Sequence, residues 1–199
     1  MISVPFAVLR HAPTVWNAEK RLQGMSDTPL SAEGEARART WRLPAPADSW
    51  RRFSSPLQCA RRTAELLQPG APVTIDRRLR EMSFGIWEGL SIAELRATIG
   101  ERFIQAEQRG LDFEPPGGES PRQVMARLAD FTAELARGGR PAVIVAHKAV
   151  LRALLALATG WDMTGRQPVK LDWHCLHYFA ATPDGRVTLE RPNVTLATP

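Results

Sequence analysis

Two short stretches of this chain are apolar at every position: residues 4–9 (Val-Pro-Phe-Ala-Val-Leu) and 142–146 (Ala-Val-Ile-Val-Ala). A strand with one wet face alternates apolar and polar residues. An unbroken run this short marks a strand covered on both faces, as in a parallel sheet between helices. Helical patterns separate the β-type runs as that arrangement requires. Ser31 caps a helix expected over residues 32–43, with Gly34 weakening its first turn. Residues 52–54 read as a strand, and Pro56 is expected to open a helix to about residue 67. Residues 73–75 form a further β-type run, after which Ser91 and Glu94 have capping-box spacing at a helix start. Residues 101–109 read as helical, and Pro115-Pro116-Gly117-Gly118 breaks the chain. Ser120 begins a long helix with Val124, Leu128, Phe131 and Leu135 on one stripe, ended by Gly138-Gly139. An apolar helix over 149–159 follows, then a hairpin of 170–181 with 186–190 around Pro183-Asp184-Gly185. The fold expected is α/β: a three-layer α/β/α sandwich with a mostly parallel central sheet, one domain over residues 1–199.

Composition narrows the function classes. The chain carries a formal charge of +5, and only three of its 26 basic residues are lysines. The arginines are scattered, with no basic run interleaved with aromatics. An anionic small molecule is therefore favoured over nucleic acid as the partner. No stretch of about 18 apolar residues exists, so no membrane span is expected. The N-terminal run lacks a basic flank and reads as a strand, not a signal peptide, which leads to the cytoplasm as the expected location. Cys59 and Cys175 form neither a disulfide framework nor zinc-ligand spacing. Oligomeric state stays open, a homodimer included.

In sheets of this kind the site lies beyond the carboxyl ends of the strands. His11 follows the first buried run and His147 the second. Either alone is ordinarily just a hydrogen-bonded residue. Both at strand ends, one preceded by Arg10, shift the balance toward a functional site. His174, Cys175 and His177 make no metal site if they lie on a strand, because His174 and His177 would then face opposite ways. Trp16, Trp87 and Trp173 read as packing residues.

Five segments carry a more specific signal. They are Leu9-Arg10-His11-Ala12-Pro13-Thr14-Val15-Trp16-Asn17; Arg21-Leu22-Gln23-Gly24 with Asp27-Thr28-Pro29-Leu30-Ser31; Ser55-Pro56-Leu57-Gln58-Cys59-Ala60 with Thr63-Ala64; Leu79-Arg80-Glu81-Met82 with Gly85-Ile86-Trp87-Glu88-Gly89; and Pro116-Gly117-Gly118-Glu119-Ser120 followed by Ala146-His147. In this order they resemble the signatures of the histidine phosphatase superfamily, the phosphoglycerate mutase-like fold, over residues 4–160. The resemblance implies a phosphomonoester hydrolase working through a phosphohistidine on a small phosphorylated metabolite, with no metal or other cofactor. His11 would be the nucleophile. Arg10 would clamp the phosphoryl oxygens in its planar fork, and His147, as an imidazolium, would stabilise their charge. Glu81 would be the acid and base, with Glu88 its rival. Asn17, Gln23 and Gly24 would contribute to substrate binding. Phosphoglycerate mutase-type transfer is a sub-variant, less favoured because the mutases of this family are longer.

Three residues depart from the pattern. Ala12 stands where glycine is common, which matters only if the backbone there needs a positive φ. Lys148 stands where glycine or serine is common and reads as solvent-facing. Cys59 falls at the family's second phosphate-binding arginine, a donor worth about 3 kcal/mol in the transition state. Arg62, one helical turn on, is the residue left to fill that role. Cys59 is not itself a phosphatase nucleophile, since Glu65 stands where the arginine of a cysteine-phosphatase loop would be. The alternative reading is a catalytically weakened member that binds a phosphorylated ligand or partner without turnover.

Overall fold

The computed structural model describes residues 3–197. Its β1 (Val4–Arg10) and β4 (Ala142–Ala146) pair in parallel, and β2 (Arg51–Ser54) and β3 (Val73–Ile75) extend the parallel part beyond β4. On the other side of β1, β5 (Leu176–Ala181) and β6 (Val187–Val194) run as an antiparallel hairpin. The order across the sheet is β3-β2-β4-β1-β5-β6. The two unbroken apolar runs are thus the central neighbours. β4 is buried at every position because helices cover both faces of the sheet.

The faces are distinct. Phe6, Val8 and Ile144 point into a core with α6 (Pro121–Arg137) and α7 (Lys148–Thr159), against Val124, Leu128, Phe131, Leu151, Leu154 and Leu155. Ala7, Leu9, Val143 and Val145 point the opposite way, onto Ala38 of α2 (Ala32–Thr40) and Ala60 and Ala64 of α3 (Gln58–Leu67). Small residues on that side let the helices sit close to the strands. Each fully buried Leu, Ile or Phe contributes about 1.5–3 kcal/mol of apolar burial. A third cluster, Trp87, Leu95 and Phe103, joins α4 (Ile92–Ile99) and α5 (Glu101–Glu107) beyond the carboxyl ends of the strands. It becomes one wall of the cavity described below.

Several boundaries differ from the sequence expectation. A four-residue helix, α1 (Val15–Ala18), lies between β1 and the Ser31-capped helix where the sequence marked no element, closed by a capping box between Thr14 and Asn17. α2 stops at Thr40, and α3 starts at Gln58 with Leu57 as its N-cap, so Pro56 precedes the helix instead of opening it. β5 begins at Leu176, because Asp172 through Cys175 form a turn in which Cys175 N–H donates to the Asp172 carbonyl at 3.1 Å. His174 therefore lies in a turn, while His177 is committed structurally: Nε2 is 3.0 Å from the Asp172 carbonyl and Nδ1 accepts from Asn193 N–H at 3.1 Å. Ala12 has no positive φ, so alanine costs nothing there.

Candidate active site

The register of β1 on β4 aligns Arg10 with Ala146, and His11 N–H donates to the Ala146 carbonyl at 2.9 Å. The residues that follow, His11 and His147, are therefore side by side, with ring centroids 5.1 Å apart and planes at 56°. They are only 5% and 1% exposed. His11 Nδ1 is 2.8 Å from the carbonyl of Ala12. A carbonyl only accepts, so the proton sits on Nδ1 and the Nε2 lone pair is free. Burial and the Arg10 guanidinium push the His11 pKa down to about 3, so the ring is neutral near pH 7. Burial, reinforced by His11, Arg10 and Arg127, holds His147 well below the usual histidine range too. Its Nε2 lies 2.7 Å from the hydroxyl of Ser55, a residue fixed to β4 through its own N–H. The imidazolium expected for His147 is thus not the resting state, because a dry pocket that already holds a guanidinium disfavours a second cation.

Glu81, in the segment after β3, seats its carboxyl at the N-terminus of α7. Oε1 accepts from the N–H groups of Met82 at 3.0 Å and Ala149 at 3.1 Å, and Oε2 is 3.2 Å from the same Ala149 N–H. Burial raises the carboxyl pKa and outweighs those bonds and the charges of Arg10 and Arg127. The backbone is clamped behind it. Arg127 donates to the carbonyls of Glu81 and Arg78 and pairs with Glu119, which also takes Arg80 and the Ser83 N–H. Glu88, the rival carboxyl, is held by structural hydrogen bonds. Its carboxylate accepts from Met25 and Phe84 N–H and from the hydroxyls of Ser26 and Ser83. It ties the loop after α1 to the segment after Glu81, and a Cβ on Gly24 would collide with it.

A cavity of about 600 Å³ opens over these groups, lined by Arg10, His11, Asn17, Gln23, Gly24, Glu81 and His147. The Nε of Arg10 is buried without a hydrogen-bond partner among the described residues. Such an orphan donor is costly unless a ligand satisfies it. Phe84, Phe103, Phe113 and Met163 form an apolar wall. Lys148 and Arg152, one turn apart on α7, reach the same cavity with their charged ends over Trp173 (5.3 Å) and Trp161 (5.1 Å). Neither makes an ion pair among the described residues. Lys148 is solvent-exposed as expected, but at the cavity rim. Arg152 escaped the sequence reading because it looked like one polar residue on an apolar helix. Its i,i+4 spacing from Lys148 was the available signal.

Arg62 is elsewhere. It pairs with Glu35 and Glu65 and lines a separate surface hollow with Pro29, Leu30 and Gln58. The expectation that it fills the second arginine role fails, because its own side of α3 faces the carboxylates of α2 and α3. Cys59 does face the histidines. Its Sγ and a ring nitrogen of each lie within 4.8 Å of one another. Gln23 donates to Sγ at 3.4 Å and accepts from Thr14 through its other amide atom at 3.0 Å. Burial pushes the thiol up to about 12, so it stays protonated.

Comparison with known proteins agrees with this geometry. Residues 6–195 match the family model of the histidine phosphatase superfamily (branch 1). The 2,3-bisphosphoglycerate-dependent phosphoglycerate mutase 2 of Gloeobacter violaceus is 32% identical over 162 residues, 74% of this chain and 72% of that one. The solved structure of a mycobacterial glucosyl-3-phosphoglycerate phosphatase superposes with TM-score 0.79 and 27% identity, covering 96% of this chain and 99% of the other. The α-ribazole phosphatase of Shigella flexneri gives TM-score 0.80 and 25% identity, over 98% and 100% of the two chains. No helix among the described residues is long and apolar enough to cross a membrane.

Proposed function

The chain belongs to branch 1 of the histidine phosphatase superfamily, and from that premise we propose that it hydrolyses a small phosphate monoester through a phosphohistidine on His11. One observation carries the reading: a neutral His11 with Nδ1 bonded to the Ala12 carbonyl and Nε2 free, beside a carboxyl whose pKa is raised. Nε2 forms the bond to phosphorus as the ester P–O bond breaks. Glu81 gives its proton to the leaving oxygen. It then takes one from the water that cleaves the N–P bond, so the carboxyl ends as it began. Arg10 satisfies its orphan Nε on the phosphoryl oxygens. The neutral His147 donates a hydrogen bond, and the arriving dianion lowers the cost of protonating it.

The cavity walls support a substrate class. Lys148 and Arg152 suit a second anionic group, a carboxylate or another phosphate, and the apolar wall suits a compact carbon skeleton. Hydrolysis is preferred over mutase transfer, in keeping with the solved phosphatase structures that superpose over 96% and 98% of this chain. Cys59 supports a second reading, binding with weak turnover, because an uncharged thiol stands beside the histidines.

A panel of phosphorylated metabolites with coloured phosphate release tests both. Turnover abolished by His11→Asn, with acid-labile phosphate trapped on the wild type, supports hydrolysis. Equal inactivity of both proteins across the panel overturns it. Cys59→Arg separates the readings further: a rate gain of ~10²-fold is expected if the missing clamp limits turnover.

A further inference from the structure

We propose that His11, Cys59 and His147 form a binding site for a soft divalent cation of the zinc class, which occupies the phosphoryl position and excludes the ester. The three side chains come from three elements: the end of β1, the first turn of α3 and the N-cap of α7. All are buried, and one potential ligand atom of each lies within 4.8 Å of the others. Around tetrahedral zinc, with bonds of about 2.0 Å to nitrogen and 2.3 Å to sulfur, ligand atoms sit roughly 3.3–3.6 Å apart. Side-chain rotation of about an ångström therefore brings the trio into coordination. Because His11 and His147 line the cavity, the fourth position opens onto it and takes water.

The surroundings suit ligands of this kind. A zinc-bound imidazole ordinarily donates its remote N–H to a carbonyl or carboxylate. His11 already does so, from Nδ1 to the Ala12 carbonyl, which leaves Nε2 for the metal. Gln23 directs an amide N–H at Sγ, a donor that stabilises a thiolate. The Ser55 hydroxyl holds the second ring. Both imidazoles rest neutral, as ligands must be. Binding forms an M–S bond and breaks the S–H bond. The proton leaves to solvent, and the ion adds one net positive charge with no change of oxidation state. Arg10 opposes that charge and Glu81 offsets it. An arginine at position 59 would add a second repulsion and supply no soft ligand. The site is thus peculiar to a chain with cysteine there.

Cobalt(II) is the probe, because a cobalt–thiolate bond gives a near-ultraviolet charge-transfer band and a tetrahedral site gives intense visible bands. The purified full chain is expected to bind one equivalent with both features, which zinc bleaches. Cys59→Ser should abolish the thiolate band and weaken binding about 10-fold or more, whereas Cys175→Ser should keep both. Circular dichroism of each variant shows that it is folded. A His11→Asn variant, an independent loss of one ligand, should also lose the tetrahedral bands. Inorganic phosphate should raise the apparent cobalt Kd. Absence of the band in the wild type, or a band that follows Cys175, overturns the site; binding indifferent to phosphate overturns the exclusion. Only the exclusion rests on the phosphatase reading. A Cys59-dependent band in a protein that hydrolyses no ester would leave the metal site standing and that reading refuted.

Discussion

Replacing His11 with asparagine isolates the cost of burying that imidazole. Asparagine keeps an N–H near the Nδ1 position and so keeps the bond to the Ala12 carbonyl, but it does not titrate. In the unfolded chain the imidazole takes up a proton near pH 6.5; in the fold, burial and Arg10 delay this to about 3. Between those values the unfolded state binds more protons, so its share of stability is complete above pH 6.5 and is lost as pH falls. At pH 5 the loss comes to about 2 kcal/mol, and it grows by about 1.4 kcal/mol per further unit until pH approaches 3. His147 adds a loss of the same sign to both proteins; burial, the first cause of its depression, remains when His11 is removed, so most of the difference between them belongs to His11. Urea unfolding followed by circular dichroism at pH 8 and pH 5 measures it. The wild type should lose about 2 kcal/mol more than His11→Asn on acidification, or about 1 M in urea midpoint for a typical slope. Equal losses would mean that His11 titrates in the fold as it does in water. The account of a dry His11 beside a guanidinium would then be wrong.

Glu81→Gln should lower kcat by about 10²–10⁴-fold. It should also stabilise the protein relative to wild type at pH 8. A carboxyl with a raised folded pKa loses stability as pH rises above its unfolded value, and glutamine keeps the bonds to Met82 and Ala149 through one oxygen. Thermal melts at pH 5 and pH 8, set beside initial rates, check both signs. Lys148→Ala and Arg152→Ala should each raise KM for an ester bearing a second anion by about 10-fold, with little change for a simple aryl phosphate, in steady-state assays. Gly34→Ala should cost about 1–3 kcal/mol in urea unfolding, because its Cβ would overlap the carbonyl of Pro13.

That glycine shows how far the sequence could be read. Gly34 looks like a flaw in the first turn of α2, a penalty of helix propensity. In the fold it is the point where α2 passes over the loop that carries His11, a contact no local pattern encodes. β1 and β4 were legible because burial on both faces removes alternation. α6 was legible because Ser120 opens it and Val124, Leu128, Phe131 and Leu135 repeat at helical spacing along it. Arg10, His11, Glu81 and His147 stood out through position at strand ends and family resemblance, and the structure brings all four to one cavity. α1 was missed because four residues carry no period. Arg62 was misassigned because helix-face geometry says which way a residue points but not what waits there. Glu35 waits there, from another helix.

The adjacency of β1 and β4 has a consequence for how the site comes into being. His11 and His147 are separated by about two-thirds of the chain, yet they meet across one pair of hydrogen-bonded strands. β2 and β3 pair with β4 and with each other, not with β1, so no smaller sheet joins His11 to them beforehand. Closing so long a loop is entropically costly and late. A chain halted before β4 leaves Arg10 and His11 on an unpaired β1, without His147 and without the α7 N-terminus that seats Glu81. Phosphoryl chemistry in this protein is therefore withheld until β4 pairs with β1, and activity during refolding should not appear before β4 docks.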